Sequence, residues 1–378
     1  MAELHGTCDD RFRAVADTLS ANLDSGADLG ASVAVAMGGE MVVDLWGGHA
    51  DAERSRPWGS DTIANVWSTT KTMTALCALM LADRGQLDLH APVAQYWPEF
   101  AANGKEGVEV RHLLGHTSGL SGWEEPVEES VLYDWDRATS LLAAQAPWWE
   151  PGTASGYHAV TQGYLVGEVI RRVDGRTVGQ FLAEELAGPL GADFHIGLDP
   201  ADDHRVAELT PPPPLPDDLI GSASEITIKT LSNPVMSAEM TASEAWRRAE
   251  IPAAGGHGNA RSVARIQSVL ACGGELDGRR YLSAEGCEAV FDEQAYGVDL
   301  VLGFPLRFGM GYGLPSAEIP LANQHSCFWA GWGGSLVIVD LESRAVFAYV
   351  MNRMADGLVG DERGLGLAAA AMGAIAVA

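Results

Sequence analysis

Ser68 and Lys71 are the residues of this chain whose types and spacing point most directly to chemistry. They lie three positions apart in the run Trp-Ser-Thr-Thr-Lys at 67–71, and Lys71 is one of only three lysines in the sequence. Residues three apart share one face of a helix, so the serine hydroxyl and the lysine amine would lie side by side. A partly desolvated lysine loses some of its preference for the charged form and can accept the serine proton. The pair therefore predicts a serine nucleophile with a lysine base.

The sequence after Ser68 predicts the element that would hold this pair. Residues 73–81 are mostly apolar, and no glycine or proline occurs until Gly85, which predicts a buried helix from Ser68 to Arg84. The N-terminus of that helix would favour negative charge developing near the serine. A Ser-x-x-Lys match also arises by chance, in which case Ser68 is a helix cap and Lys71 is solvated.

Three further segments carry residues suited to a reaction centre. Residues 113–120 read Leu-Leu-Gly-His-Thr-Ser-Gly-Leu, residues 150–159 contain Pro-Gly-Thr and then Tyr-His-Ala, and residues 331–335 read Gly-Trp-Gly-Gly-Ser. An acyl-enzyme mechanism needs a nucleophile, a proton acceptor and oxyanion donors that converge on one carbonyl. With the Ser-x-x-Lys pair, these segments supply candidates for each part.

The order of the four motifs resembles the serine β-lactamase and penicillin-binding-protein superfamily. Within it, the chain looks most like the class C β-lactamase-related esterases, called family VIII carboxylesterases, over essentially its whole length. The resemblance implies an α+β fold, with an antiparallel sheet from both chain ends flanked by helices, plus an inserted mainly helical domain. The expected α/β domain comprises residues 1–66 and 250–378, the helical domain residues 67–249, and the active site lies between them.

The resemblance also implies roles for individual residues. Ser68 matches the family's nucleophile, Lys71 its partner base, and Tyr157 the tyrosine that shares proton transfer with the lysine. The backbone N–H groups of Ser68 and Ser335 would form the oxyanion hole. Because a tyrosinate at neutral pH needs a nearby cation, Lys71 is expected to lower the pKa of Tyr157.

Two departures from the lactamase pattern bear on the substrate. Trp332, Gly333 and Gly334 stand where lactamases have Lys-Thr-Gly, and Ala159 replaces the asparagine that closes the second motif. The site then lacks its usual partners for a β-lactam carboxylate and acylamide, so uncharged esters should bind relatively better. These four residues are expected to contact substrate, and His158 either lines the site as well or lies on the surface.

These motifs predict a serine carboxylesterase that hydrolyses small or short-acyl esters through an acyl-enzyme on Ser68. A β-lactamase or an acyltransferase would use the same residues, and a non-catalytic member of the fold that binds ligands is a further alternative. No Gly-x-Ser-x-Gly elbow is present, which disfavours an α/β-hydrolase triad. We expect no metal and no cofactor, since His112 and His116 lack a third ligand and His116 is better explained as a packed loop residue.

Composition limits the partners. The net charge of −27 disfavours nucleic acid and anionic membrane surfaces. The five cysteines contain no Cys-x-x-Cys pair, which disfavours a disulfide framework or a thiolate zinc site. We see no signal peptide and no apolar run of about 18 residues, so we expect a cytoplasmic protein with no membrane partner. The oligomeric state stays open, and the expected partner is a small-molecule ester.

The elements that would position these residues follow from local patterns. An amphipathic helix is predicted over 8–24, and two strand pairs are predicted near the chain ends, at 31–37 with 41–46 and at 335–340 with 344–350. Further helices are predicted at 110–114, 137–145, 161–173, 176–186 and 261–270, with another near the C-terminus. Residues 211–241 begin with four prolines and are predicted to form an irregular surface loop or lid.

Overall fold

The computed structural model describes residues 2–214 and 223–376. The helices of this part of the chain, numbered in order, are α1 (Arg13–Ser25), α2 (Thr70–Asp83), α3 (Val110–Leu114), α4 (Trp135–Ala144), α5 (Thr161–Asp174), α6 (Val178–Leu182), α7 (Gly188–Leu190), α8 (Glu225–Leu231), α9 (Glu244–Arg248), α10 (Ala260–Ala271), α11 (Ala284–Glu288) and α12 (Glu362–Ala376). The strands are β1 (Leu4–Cys8), β2 (Gly30–Met37), β3 (Glu40–Gly48), β4 (Ala64–Asn65), β5 (Phe194–Ile196), β6 (Gly256–Gly258), β7 (Glu275–Leu276), β8 (Arg279–Arg280), β9 (Ala295–Val298), β10 (Pro305–Phe308), β11 (Ser326–Ala330), β12 (Leu336–Asp340) and β13 (Ala345–Met351).

The main sheet is built from both ends of the chain. Its six strands run antiparallel in the order β1-β3-β2-β13-β12-β11. Gly38 and Gly39 join β2 to β3 with φ angles of +57° and +91°, the left-handed backbone that a two-residue hairpin turn needs and that glycine adopts without strain. The predicted strand pairs and the antiparallel sheet are confirmed.

Both faces of the sheet are covered. In β2, Val33 and Val35 join the apolar cluster formed with α1 and α12, whereas Ala34 and Ala36 join the larger cluster on the opposite face. Successive residues of a strand point to opposite faces, so alternate side chains of one strand contribute to two cores. The predicted site residue Tyr157 lies on the side of the larger cluster, to which Trp67 also belongs.

Helix α2 occupies the centre of that larger cluster. Every residue from Thr70 to Leu81 is buried, as expected for a helix that is apolar around most of its circumference. Residues Trp67–Thr69 form a 3₁₀ turn, and the α-helix begins at Thr70 rather than at the predicted Ser68. The predicted helix is otherwise confirmed, and it places Lys71 deep in the protein interior.

Three local predictions need correction. The helix predicted from residue 8 begins at Arg13, and β1 before it pairs with β3 because partner hydrogen bonds override a segment of weak local preference. The helix predicted over 176–186 is interrupted by a π-helical turn at Ala183–Ala187. The segment 211–241 is not wholly irregular, since it contains α8 and a 3₁₀ turn at Ala238–Ala242, and its residues 215–222 lie outside the described residues.

The C-terminal helix α12 packs on α1 through Leu367, Ala371 and Ile375. No helix within residues 2–214 and 223–376 is long and apolar enough to cross a membrane. The division into an α/β domain (1–66 and 250–378) and a helical domain (67–249) stays a prediction.

Candidate active site

The turn that carries Ser68 has an unusual backbone. Trp67 has a φ of +46°, a left-handed conformation that costs a bulky residue about 1–2 kcal/mol. The conformation is held by packing, since the Trp67 ring lies 5.3 Å from the ring of Trp246 and 4.9 Å from that of Trp332. The Thr70 hydroxyl also donates to the Trp67 carbonyl at 2.5 Å. Strained backbone that its surroundings maintain is concentrated at functional sites.

Ser68, Lys71 and Tyr157 converge on one another. The Ser68 Oγ lies 3.1 Å from Lys71 Nζ and 2.5 Å from Tyr157 Oη, and the latter two atoms are 3.0 Å apart. The contact between Ser68 and Lys71 follows from their spacing on the first turn, whereas Tyr157 arrives from a loop 86 residues after Lys71. The three side chains can therefore exchange protons through direct hydrogen bonds.

Lys71 also bonds to two backbone carbonyls. Its Nζ donates to the carbonyl oxygen of Ala159 at 2.7 Å and to that of Ala253 at 3.0 Å. The side chain is completely buried, and this desolvation holds the pKa of Lys71 well below its usual range. An uncharged amine has two N–H groups and one lone pair. The two carbonyls use both N–H groups, so the lone pair is left to accept a proton from Ser68 or Tyr157.

Tyr157 favours its neutral form as well. Burial raises the pKa of its phenol well above the usual value, so the expectation that Lys71 lowers this pKa is wrong in direction. Burial therefore shifts both groups toward their neutral forms, a phenol and an amine, and away from a tyrosinate beside an ammonium ion. The backbone N–H of Tyr157 donates to the Asp299 carboxylate at 3.0 Å, which helps to fix the loop that carries the ring.

The Gly-Trp-Gly-Gly-Ser segment at 331–335, called the third motif because it is the third of those that follow the Ser-x-x-Lys pair, contacts the Ser68 turn through Ser335. The Ser335 hydroxyl donates to the Val66 carbonyl at 2.8 Å and lies 2.9 Å from the Thr69 hydroxyl oxygen. This hydroxyl is therefore occupied in attaching the start of β12 to the turn before α2. Gly331 permits the close approach, since a Cβ there would lie 2.2 Å from the Val66 oxygen.

Trp332 and the two glycines after it have different environments. Trp332 lines the cavity beside Ser68, whereas Gly333 and Gly334 support it from behind. A Cβ on Gly333 would lie 2.6 Å from Met354, and a Cβ on Gly334 would lie 2.2 Å from the Asp361 carboxylate. Both glycines also have positive φ angles, of +90° and +129°. These positions require glycine for packing, and neither lines the cavity.

A mostly apolar cavity of about 260 Å³ opens beside Ser68. Its lining residues come from six parts of the described chain: Trp67, Ser68, Tyr157, Ala159, Val160, Thr230, Leu231, Met236, Ala254, Trp332, Asp356 and Leu358. The lining contains no lysine, arginine or histidine among residues 2–214 and 223–376. A larger and more open cleft of about 680 Å³ lies near the β2–β3 turn and includes none of the residues above.

Two arginines near the third motif do not supply the positive charge that lactamases have at the position of Trp332. The Arg353 guanidinium donates to the Gly26 carbonyl, and neither residue lines the cavity. Arg363 reaches the third motif, donating to the Gly333 carbonyl at 2.8 Å, but it forms ion pairs with Asp28 at 3.0 Å and Asp361 at 2.6 Å. Its charge is already neutralised by two carboxylates.

His116 and His158, the histidines of two motifs, do not line the cavity beside Ser68. His158 is completely buried, with Nε2 2.7 Å from the Ser118 hydroxyl and Nδ1 2.5 Å from the Gly156 carbonyl oxygen. Its ring does not line the cavity, so it belongs to neither environment predicted for it. His116 Nδ1 accepts the His158 backbone N–H at 3.1 Å, as a packed loop residue does. Desolvation lowers the pKa of both rings, and that of His158 to about 3.

His112 lies at the end of α3's first turn, where its Nδ1 accepts the Glu109 backbone N–H at 3.1 Å. No group of three or more metal-ligating side chains with suitable geometry occurs in the described part of the chain.

Several residues that line the cavity were not predicted from the sequence. Trp67 precedes Ser68 directly, and the glycine-rich run Ala-Ala-Gly-Gly-His-Gly at 253–258 is a signal that could have drawn attention to Ala253 and Ala254. Residues from α8 and from the 355–360 segment carry no motif. Only the fold brings them to the cavity.

Comparison with known proteins shows the family of the chain. The sequence model of the Beta-lactamase family matches residues 15–371. The chain is 36% identical over 370 residues to the esterase/beta-lactamase LipL of Mycobacterium tuberculosis, an alignment that covers 94% of this chain and 84% of that protein.

Solved structures give the same result. A crystal structure of a family VIII carboxylesterase is 44% identical, with a TM-score of 0.93 over 98% of this chain and 100% of the other. A penicillin-binding protein homolog from Caulobacter crescentus is 40% identical, with a TM-score of 0.93 over the same shares of the two chains.

Proposed function

The chain belongs to the Beta-lactamase family, and within that family we propose that it is a serine carboxylesterase that hydrolyses small or short-acyl esters through an acyl-enzyme on Ser68. One observation carries the proposal: the Ser68 Oγ lies within hydrogen-bond distance of both Lys71 Nζ and Tyr157 Oη, at the edge of an apolar cavity. The similar proteins named as esterases support the assignment of esters as substrates.

In the acylation half of the reaction, Ser68 Oγ attacks the ester carbonyl carbon and its proton passes to the lone pair of Lys71. The negative charge on the carbonyl oxygen is stabilised by the backbone N–H groups of Ser68 and Ser335. As the bond to the alcohol breaks, the Tyr157 phenol protonates the leaving oxygen and recovers a proton from Lys71. The alcohol leaves, and both groups return to their neutral forms.

Deacylation reverses these roles with water as the nucleophile. Tyr157 and Lys71 together remove a proton from the attacking water, and Ser68 Oγ regains a proton as the acid product leaves. Burial favours the neutral form of Lys71, which suits this mechanism, since a protonated lysine could not accept the first proton.

The cavity supports the choice of substrate. Its volume of about 260 Å³ is slightly below the range of about 300–1,000 Å³ that is usual for drug-sized ligands. Trp332 and Ala159 line it where a lactamase would present a cation and an amide. The contacts expected of Trp332 and Ala159 with substrate remain part of the proposal.

The test compares p-nitrophenyl butyrate with nitrocefin on one preparation. Each lost charged hydrogen bond is worth about 1.5–3 kcal/mol, so we expect kcat/KM to favour the ester by about 10²-fold or more. Labelling by a fluorophosphonate, read by intact mass and abolished in Ser68→Ala, identifies the nucleophile. Comparable kcat/KM values for the two substrates would instead favour a β-lactamase, the second activity in the name of the Mycobacterium relative.

We also propose that the protein acts in the cytoplasm. Its five cysteines are all free, and four of them are buried, as in proteins of reducing compartments. Fractionation of the source cells tests this location, and recovery outside the cytoplasm would contradict it.

A further inference from the structure

Asp356 is the charged residue of the active-site cavity. It is the single acidic or basic side chain among the described residues that line the space beside Ser68. The carboxylate is exposed, and it forms no hydrogen bond or ion pair with the described residues. An unpaired charge in a largely apolar cavity must affect which substrates bind.

The backbone holds Asp356 beside Trp332. The N–H of Ala355 donates to the Gly333 carbonyl at 3.0 Å, and the N–H of Gly333 donates to the Gly357 carbonyl at 3.0 Å. These two hydrogen bonds enclose Asp356, so its position follows from that of the third motif. Gly333 makes the arrangement possible, since any Cβ there would collide with Met354.

Within the described residues, no cation forms an ion pair with this carboxylate, and the guanidinium of Arg353, three residues earlier, donates instead to the Gly26 carbonyl. Arg363 is neutralised by Asp28 and Asp361, as described above. Lys229 lies on α8, next to the cavity residue Thr230, but its ammonium group pairs with Glu124 at 2.9 Å. The rings of Trp67 and Trp332 also line the cavity, and aromatic faces attract cations.

We infer that Asp356 makes this site select esters by charge, so that esters with a cationic group are preferred to neutral esters of the same size and anionic esters are rejected. This inference rests on the proposed esterase function and names the substrate class of the same site. It adds to the loss of a carboxylate partner at Trp332: the cavity also repels a carboxylate.

The measurement uses three p-nitrophenyl esters whose acyl chains have equal length and end in trimethylammonium, tert-butyl or carboxylate. Opposite charges about 4 Å apart in a water-like medium change an equilibrium about fivefold. We therefore expect kcat/KM to be about fivefold higher for the cationic ester than for the neutral one, and about fivefold lower for the anionic ester. A second series with the same groups on the alcohol shows which half of the substrate faces Asp356. The ratio of kcat/KM for the cationic to the neutral ester, and that for the neutral to the anionic ester, should both approach one as salt is added, because exposed charges are screened.

Three variants assign the effect. Asp356→Asn should bring both charge ratios to within about twofold of one, and Asp356→Lys should invert them. Asp17→Asn removes the same charge from the exposed surface of α1, which packs on the opposite face of the sheet, and should leave the ratios unchanged. Since each readout is a ratio within one protein, a general loss of activity cancels.

Two results would overturn the inference while leaving the esterase function intact. One is a wild-type preference of less than twofold in both series. The other is a charge preference that is as large in Asp356→Asn as in the wild type, or that Asp17→Asn reduces as much as Asp356→Asn does. Hydrolysis of none of the esters would overturn the proposed function, and the inference with it.

Discussion

Lys71 and Lys105 are both completely buried, and each donates hydrogen bonds to two backbone carbonyls. Lys105 bonds the carbonyls of Ala102 and Gln145 and joins two loops of the helical region. Burial lowers the pKa in both cases, and that of Lys105 to about 8. By burial, partners and direction of the pKa shift, the two lysines are alike.

The two lysines differ in the other side chains that surround the Nζ atom. Lys71 Nζ lies 3.1 Å and 3.0 Å from the hydroxyl oxygens of Ser68 and Tyr157, beside a cavity that a substrate can enter. Lys105 Nζ instead lies over the ring of Phe100, 5.3 Å from the ring centroid. Burial and hydrogen bonds to carbonyl groups therefore do not by themselves make a lysine catalytic. We propose that Lys71 acts as a base because its nitrogen lies beside hydroxyl groups, one of which can attack a substrate.

The largest expected effect comes from removing the attacking hydroxyl, which makes the Lys71 region resemble the Lys105 region. Ser68→Ala should reduce kcat/KM for p-nitrophenyl butyrate by about 10⁴-fold or more, since the acyl-enzyme can no longer form. Circular dichroism and thermal melting control for the fold. Retention of more than about a tenth of the activity, a change below about 1.4 kcal/mol, would remove Ser68 from the mechanism.

A matched pair of substitutions tests the comparison directly. Lys71→Met should lower kcat/KM by about 10³-fold, within the range for loss of a general base. Lys105→Met should change it by less than about threefold, because Lys105 contacts no reacting group. Equal losses in the two variants would mean that burial, and not the neighbouring hydroxyls, explains the role of Lys71.

The third prediction concerns the coupling between Lys71 and Tyr157, which Lys105 lacks. Members of one catalytic unit are not additive, so the double change to Ala should lower kcat/KM by no more than about threefold beyond the worse single change. The four rates of a double-mutant cycle measure this. Losses that multiply would show that the two side chains act independently.

The smallest effect is on stability, and it concerns Lys105. Its pKa is about 8 in the folded protein against a reference value of 10.5, so the unfolded chain binds more protons between these pH values. The free energy of unfolding contributed by this group therefore rises with pH from about 8 to 10.5 and is constant below that window. Urea unfolding of the wild type and Lys105→Met at pH 7 to 10 measures the difference, in which the shifts of all other groups cancel. A difference that does not grow with pH would contradict the shift.

Local patterns accounted for most of the fold elements. The Gly38-Gly39 hairpin and helix α2 follow from turn chemistry and from a long apolar run, which are properties of neighbouring residues. Strand β1 was missed, since its hydrogen bonds are made with β3 about forty residues away and not within the segment. The interruption at Ala183–Ala187 was missed because its five residues are ordinary helix formers, although Gly188 and Pro189 directly after them are a helix-breaking pair.

The sequence by itself determined one contact of the site, that between Ser68 and Lys71, because helical geometry brings together residues three apart. It also determined, through Trp332 and Ala159, that two polar anchors are missing. Tertiary structure alone decided the rest. The Ala253 carbonyl reaches Lys71 across 182 residues of chain, and Asp356 reaches the cavity because its neighbours Ala355 and Gly357 form backbone hydrogen bonds with Gly333. The pKa shifts belong to this second group, because desolvation depends on everything packed around a side chain and not on its neighbours in sequence.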